Sequence, residues 1–293
     1  MIAIEYILPI KVAVHHRFEP ESRIMTCEDK KKSTNRLNTD EANIFGMLAR
    51  NVISELNARR AHNLTKDIHG FVESFLYKRV VSKAHFCVHN TINDLQALQL
   101  TSIDIIDKYI PKTAHAIGEA WVNSDLSFAE VTIASSRLQT LLSEIDRRNF
   151  NTTFRGHPQL KMLVIVLAQD QHNLGSLVLA SKLRRNGVSV KNILAESNDT
   201  VRSVILDGWY DAVLFSSSRR KDLSNIIEIV TTAKYRMCNA PIFALGGIIL
   251  NLYPELPKDD SSQSFDLISN DVDEIITYCA EKQVSLGTLK QVI

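Results

Sequence analysis

The stretch "MLVIVLAQDQHNLGSLVLASKLRRNGVSV", residues 162–190, decides the fold class of this chain. It begins with an apolar run, passes through a polar loop that carries His172, and continues as a helical pattern. A short apolar run rich in β-branched residues predicts a strand that is buried on both faces. A strand followed at once by a helix predicts part of a parallel βαβ unit.

The same alternation of strand and helix patterns continues towards the C terminus. The apolar runs "VKNILAE", "DAVLFSS", "PIFALGG" and "FDLISN" are separated by helical stretches. Together with the first run, they predict five parallel strands with helices on both faces of the sheet. We therefore expect residues 158–293 to form a Rossmann-like, doubly wound α/β domain.

The preceding residues, 39–152, have helical periodicity without a convincing strand, which predicts a helical-bundle domain. Its clearest helix is "DLSFAEVTIASSRLQTLLSEIDRR", where Ser127 and Glu130 have the spacing of a capping box. Pro111 should kink or interrupt the helical stretch around it, because proline lacks a backbone N–H. Residues 1–38 end in a polar run and are predicted to be a mobile segment.

Composition narrows the class of protein. The net charge of +1 and the hydrophobic content of 45% are typical of a soluble globular chain with no global attraction to nucleic acid or anionic lipid. The cysteines form no CxxC pair, which argues against a zinc ribbon, an iron–sulfur site or a disulfide framework. No apolar run reaches the roughly 20 residues of a membrane span, and the N terminus lacks the basic start of a signal peptide. We therefore expect a cytoplasmic protein.

Direct contact with DNA is not expected from this sequence. The stretch "ARNVISELNARRAHNLTKDIHG" is basic, but it lacks a clear recognition helix after a tight turn. A solvated helix face explains the same charges. Regulation through a protein partner is therefore favoured over operator binding.

Polar residues and glycines follow three of the predicted strands, at the edge where doubly wound sheets bind ligands. Each feature alone has an ordinary explanation, namely a solvated histidine, a helix cap or a turn. Their common position at one edge favours a ligand site. The residues are Asp170 and His172 after the first strand, Ser216, Ser217 and Ser218 after the third, and Gly246 and Gly247 after the fourth.

These residue types suit a metal-containing ligand of large size. A carboxylate such as that of Asp170 can accept the N–H of His172, fix its tautomer and make its free nitrogen a better metal ligand. Gly175 allows the start of a helix to lie close to a bulky group. Gly246 and Gly247 remove side chains where a planar or tail-like group would pass.

The pattern D-x-H-x-x-G at residues 170–175, followed by Ser216 and the glycine pair, resembles the cobalamin-binding signature DxHxxG…SxL…GG. The resemblance implies base-off/His-on binding, with His172 as the lower axial cobalt ligand and Asp170 supporting it. The nucleotide tail would enter a slot lined by Ser216 and the two glycines. Ser218 stands where the signature has leucine, so the tail pocket should be more polar here.

The helical domain is similar to the helical cap of cobalamin photoreceptors and methyltransferases. In the photoreceptors this cap carries the pattern W-x9-E-H. Trp121 matches the tryptophan and is expected over the upper face of the corrin. Val131 and Thr132 replace the Glu-His pair, which makes a hydroxo or aquo ligand more plausible than adenosyl. Other candidate upper ligands are His115 on a nearby helix and His85 and His89, whose i, i+4 spacing would place them on one helix face.

The pattern W-x-N-x-D-x-S-F-x-x-V-T-x-A-S-x-R-L-Q-x-L-L over residues 121–142 resembles the PpaA/AerR group of photosynthesis gene regulators. The resemblance implies a non-enzymatic, light-responsive antirepressor that acts on an aerobic repressor of the CrtJ/PpsR type. A heme sensor on the same fold and a corrinoid carrier subunit of a methyltransferase are the alternatives. The oligomeric state and the choice between light, oxygen and cobalamin supply as the input stay open.

Overall fold

The computed structural model describes five stretches of the chain, which are residues 61–149, 160–167, 173–195, 197–256 and 263–290. The described residues form two compact units, which divide between Ile145 and Asp146. This division lies inside one long helix, a few residues before the boundary at 152–158 that the sequence suggests. The segment 1–38 lies outside the described residues.

The first unit is built from helices that bury their apolar faces against one another. Its helices are α1 (Ala61–Val81), α2 (Val88–Ala97), α3 (Ser102–Asp104), α4 (Ile110–Val122) and α5 (Phe128–Asn149). The core contains side chains that are at most 1% exposed, among them Leu76, Leu95, Ile106, Ile117 and Leu138. The helical domain expected before the sheet is therefore present.

The start of α5 has the capping box that its sequence predicts. The Ser127 N–H donates to Glu130 Oε2 at 2.9 Å, and the Glu130 N–H donates to Ser127 Oγ at 3.3 Å. These two bonds satisfy backbone donors that would otherwise lack a partner in the first turn. Hydrogen bonds from the Ser127 backbone and hydroxyl also lower the pKa of the Glu130 carboxyl.

Pro111 interrupts its helix, as expected, and the structure shows how. Ile105–Tyr109 form a π-helical turn, and Pro111 lies in the first turn of α4. A proline cannot donate to the carbonyl four residues earlier, here that of Asp107, and its ring crowds that carbonyl. The wider π-turn accommodates this loss without ending the helical path.

The second unit is an α/β unit with five parallel strands among its described residues. The strands are β1 (Lys161–Leu167), β2 (Ser189–Ala195), β3 (Ala212–Ser216), β4 (Ile242–Gly246) and β5 (Leu267–Ile268), in the order β2-β1-β3-β4-β5. The helices are α6 (Asn173–Arg185), α7 (Asn198–Asp207), α8 (Leu223–Arg236), α9 (Ile249–Leu252) and α10 (Val272–Lys290). The predicted five-stranded parallel sheet is confirmed. Of the helices in the described stretches, none has the length and apolar character to cross a membrane.

Strand β1 explains why its sequence is apolar without alternation. Leu163 and Ile165 belong to one buried cluster, whereas Met162 and Val164 belong to a second cluster. Successive side chains of a strand point to opposite faces of the sheet, so both faces of β1 are covered. Strand β1 is therefore a central strand that is buried on both faces.

The strand order also determines where a ligand crevice opens. From β1 the chain passes to β2 on one side of the sheet, while β3 lies on the other side. The point between β1 and β3 is therefore a topological switch point, and doubly wound sheets bind ligands at the carboxyl ends of the strands beside it.

Candidate functional site

The candidate site is the carboxyl edge of the sheet at this switch point. Strands β1, β3 and β4 end there at Leu167, Ser216 and Gly246. Ser216 and Gly246 are direct partners in the β3–β4 register. The predicted serine and the predicted glycine pair, which are far apart in sequence, therefore meet at one place.

Asp170 and His172 lie outside the described residues, so their roles stay predictions. The elements on either side of them are described. β1 ends at Leu167 on the carboxyl edge, and α6 begins at Asn173, directly after His172. Residues 168–172, which include both, are thus preceded by β1 and followed by α6.

Gly175 lies in the first turn of α6 and is exposed. A Cβ atom built at this position would meet nothing within 4 Å. The described residues therefore provide no steric reason for glycine here, although glycine destabilises a helix relative to alanine by about 0.5–1 kcal/mol. An open backbone at this point agrees with the close approach of an additional group.

Gly246 and Gly247 have a different explanation from the one suggested by sequence. Gly247 has φ +103°, and a Cβ there would lie 2.4 Å from the backbone oxygen of Ser217. A Cβ on Gly246 would lie 2.8 Å from the backbone oxygen of Ser269. Both glycines are thus required by contacts within the protein, whether or not a ligand passes beside them.

The three serines after β3 lie in different environments. Ser216 is half-buried, and its hydroxyl forms no hydrogen bond with another of the described residues. The Ser217 N–H donates to the Gly246 carbonyl at 3.0 Å, which links the ends of β3 and β4. Ser218 is 6% exposed, so a polar side chain occupies a buried position where the cobalamin signature has leucine.

Asn270 is a residue at this edge that the sequence interpretation missed. Its Oδ1 accepts the Gly247 N–H at 2.7 Å, and its Nδ2 donates to the Gly247 carbonyl at 3.1 Å. The only signal in the sequence is its place as the last residue of the run "FDLISN", because no spacing rule connects positions 247 and 270.

The sequence interpretation also missed two arginines, Arg219 and Arg220, which directly follow the three serines. Arg219 Nη2 lies 3.2 Å from Oδ1 of Asp222, whose side chain is 3% exposed. Arg220 forms an ion pair with Glu255 at 3.0 Å and lies over the Tyr253 ring. Each guanidinium is paired with a carboxylate, so these contacts hold the loops behind the strand ends in place.

The residues expected at the upper face belong to the helical unit. Trp121 lies near the end of α4 and is partly exposed. Val131 is 0% exposed, on the same buried face of α5 as Ala134 and Leu138. The Thr132 hydroxyl donates to the Phe128 carbonyl at 2.8 Å. Contact between a ligand and Val131 would require this packing to change, so Trp121 and Thr132 are the more accessible of the three.

His85 and His89 do not share a helix face, contrary to the expectation from their spacing. α2 begins at Val88, and the preceding residue, Cys87, is extended with φ −110° and ψ 109°. His85 therefore precedes the helix. His89 Nε2 lies 3.4 Å from Glu144 Oε1.

His115 lies on α4 itself, the helix that carries Trp121, rather than on a neighbouring helix. Its Nδ1 is 3.6 Å from Glu119 Oε1, and both side chains are exposed. Within the described stretches, no group of three or more His, Cys, Asp and Glu side chains could hold a metal ion. The described part of the helical unit thus contains no preassembled metal site.

Comparison with known proteins agrees with this geometry. Residues 160–263 match the B12 binding domain family. Over 185 residues the chain is 29% identical to an uncharacterized 20.5 kDa protein from the bchF-crtJ intergenic region of Rhodobacter capsulatus, a match covering 63% of this chain and 95% of that protein. The monomethylamine corrinoid protein of Methanosarcina barkeri has a similar fold, with a TM-score of 0.52 and 12% identity over 75% of this chain and 99% of that one. The sequence of residues 160–263 is therefore similar to that of B12 binding domains.

Proposed function

We propose that this B12 binding domain makes the chain a cobalamin-dependent, light-responsive transcriptional regulator that acts as an antirepressor. Its partner would be a DNA-binding repressor of the CrtJ/PpsR type, and its site of action the cytoplasm. The observation that carries the cofactor assignment is the carboxyl edge of the sheet, where Gly175, Ser216 and the glycine pair lie around the switch point.

The residues at this edge fit a corrinoid. Among the described residues, no atom lies within 4 Å of a Cβ built on Gly175, and the Ser216 hydroxyl has no hydrogen-bond partner. His172, directly before α6, would be the lower axial ligand of the cobalt, and Asp170 would accept its other ring N–H and fix its tautomer. Bound cobalamin would supply a light-absorbing corrin with an exchangeable upper ligand.

The residues of the helical unit favour a small upper ligand. Val131 and Thr132 stand where photoreceptors carry Glu-His, and neither an aliphatic nor a hydroxyl side chain coordinates cobalt as a histidine does. A hydroxo or aquo form is therefore proposed over the adenosyl form. Trp121 over the upper face stays a prediction.

The regulatory role is supported by the relative from Rhodobacter capsulatus. Its description places it in the bchF-crtJ intergenic region. The similarity spans 95% of that protein and 63% of this chain. An antirepressor needs a surface for a protein partner and no DNA-reading helix of its own, which agrees with the near-neutral charge of +1.

The absorption spectrum of the purified protein tests the cofactor. We expect corrin bands that change on illumination. An intense Soret band that shifts on reduction would instead identify a heme sensor.

The regulatory role needs a separate assay. In gel-shift experiments with a repressor of the CrtJ/PpsR type, the holoprotein should change repressor–operator binding in one light condition, whereas the His172→Ala protein should not. Methyl transfer from the bound corrinoid without any effect on the repressor would favour the carrier-subunit alternative.

A further inference from the structure

Asn270 and Gly247 form a two-point contact between the ends of β5 and β4. The Asn270 amide oxygen accepts the Gly247 N–H at 2.7 Å, while the amide nitrogen donates to the carbonyl of the same residue at 3.1 Å. A side-chain amide can pair with both polar groups of one backbone residue because it carries both an acceptor and a donor.

This contact begins where the backbone ladder ends. Leu245 and Ile268 are the last partners in the β4–β5 register, and the Ser269 N–H still donates to the Leu245 carbonyl at 3.1 Å. Beyond that point the chain turns into α10. Asp271 holds this turn, because its Oδ1 accepts the Asp273 N–H at 2.9 Å. The Asn270 side chain thus extends the sheet past the end of its last strand.

The glycine pair is shaped to receive this side chain. A Cβ on Gly246 would lie 3.1 Å from Asn270 Oδ1, and a Cβ on Gly247 would lie 2.4 Å from the Ser217 backbone oxygen. Gly247 is therefore held between the chain after β3 and the side chain after β5. The φ of Gly247, +103°, is accessible to glycine, and the two hydrogen bonds with the Asn270 side chain hold the backbone in this conformation.

We infer that Asn270 is a positioning residue for the nucleotide tail of a corrinoid, an inference that rests on the proposed cobalamin function. Ser216 pairs in register with Gly246, so the wall proposed for the tail consists of the adjacent ends of β3 and β4. Asn270 fixes the shape of this wall from the β5 side. It acts through Gly247 and has no role at the cobalt.

Binding of two different corrinoids can distinguish a role of Asn270 at the nucleotide tail from a contribution to general stability. Hydroxocobalamin has the nucleotide tail, whereas cobinamide lacks it, and both can be titrated by their absorbance. Asn270→Ala should weaken hydroxocobalamin binding by roughly tenfold, because without the amide the protein has to order the chain around Gly247 when the tail binds. It should change cobinamide binding by less than about twofold. Asn270→Asp keeps the acceptor for the Gly247 N–H but places a carboxylate oxygen against the Gly247 carbonyl, so it should weaken hydroxocobalamin binding at least as much as Asn270→Ala.

Asn186→Ala is the matched control. The Asn186 amide donates to the Lys182 carbonyl at 3.1 Å at the end of α6, which leads to the opposite edge of the sheet. This substitution should leave both affinities unchanged, and thermal unfolding of each variant checks that it folds. If Asn270→Ala does not fold, Asn270→Asp decides the question.

Equal weakening of both ligands, or no change in either, would overturn the role of Asn270 while leaving the proposed function intact. If the wild-type protein binds hydroxocobalamin and cobinamide with the same affinity, there is no tail slot and the inference is wrong. If the wild-type protein binds neither corrinoid, the proposed function itself fails.

Discussion

Two kinds of glycine lie at the ligand edge of the sheet, and only one kind points to a ligand. Gly247 is required by the fold, because a side chain there would meet the backbone of Ser217. A side chain at Gly175 would meet none of the described residues, and Gly175 lies in a helix, where glycine is unfavourable. A residue that weakens the fold without a structural reason is a candidate for function.

Gly175→Ala should therefore separate stability from binding. We expect the ligand-free protein to become more stable by about 0.5 kcal/mol. Hydroxocobalamin binding should weaken by about tenfold or more, since an added methyl group would crowd a closely packed ligand. Chemical denaturation and an absorbance titration measure the two effects.

The control for this substitution is Gly70→Ala. Gly70 lies inside α1, and a Cβ there also meets nothing within 4 Å. The same gain in stability is expected, with no change in binding. If Gly175→Ala binds hydroxocobalamin as tightly as the wild type, the open space beside α6 is not part of the site.

The lower ligand gives a second prediction at the scale of single residues. His172→Ala should sharply reduce cobalamin retention or shift its spectrum to the base-on form, because the protein would no longer supply the lower nitrogen. Gel filtration followed by absorption spectroscopy measures both. His115→Ala, on α4, should leave the lower ligation intact. An unchanged spectrum with full retention in His172→Ala would refute the assignment.

At the scale of elements, local sequence rules account for the start of α5 well. Ser127 and Glu130 satisfy each other's backbone groups within one helical turn. The pKa of Glu130 is lowered in the folded protein, so its capping contribution is complete above the carboxyl's unfolded pKa. The contribution is lost as pH falls through the lower pKa of the folded state.

Glu130→Gln provides the test of this pH dependence. Glutamine can still cap the helix but does not titrate in this range. We expect the difference in unfolding free energy between wild type and Glu130→Gln to shrink from about pH 6 to about pH 3. Chemical denaturation across this range measures the difference. In a Ser127→Ala background the backbone N–H of residue 127 can still donate to Glu130, so the same comparison should show a smaller pH dependence. A difference that grows in acid would contradict the capping role.

At the scale of the whole molecule, binding should stabilise the unit that contains the site. A ligand that binds only the folded state adds about 2.7 kcal/mol at one hundred times its Kd. Calorimetry with increasing hydroxocobalamin should therefore show a concentration-dependent rise in the unfolding temperature of the α/β unit, and the His172→Ala protein should show little rise.

The transition of the helical unit can be identified by substitution of its core. Leu138 is fully buried, so Leu138→Ala should destabilise that unit by about 2–5 kcal/mol. The transition that this substitution shifts belongs to the helical unit. If hydroxocobalamin raises only that transition, the α/β unit is not the main binding unit.

The sequence by itself determined the class of fold, and its D-x-H-x-x-G, serine and glycine pattern resembles that of cobalamin-binding domains. Apolar runs such as residues 162–167 predict buried parallel strands, because a strand covered on both faces can carry no polar side chain. The capping box of α5 could also be predicted from the sequence, because its hydrogen bonds join residues three positions apart. Local patterns contain the information for local structure.

Only the tertiary structure decided how the ligand edge is held together. The reason for Gly246 and Gly247 is contact with Ser217 and Ser269, and the partner of Gly247 is Asn270, 23 positions along the chain. Likewise, i, i+4 spacing placed His85 and His89 on one helix, whereas α2 begins between them. Such contacts depend on which strands become neighbours and where helices begin in the folded chain. Spacing within a segment does not encode them, because they arise when distant segments pack together.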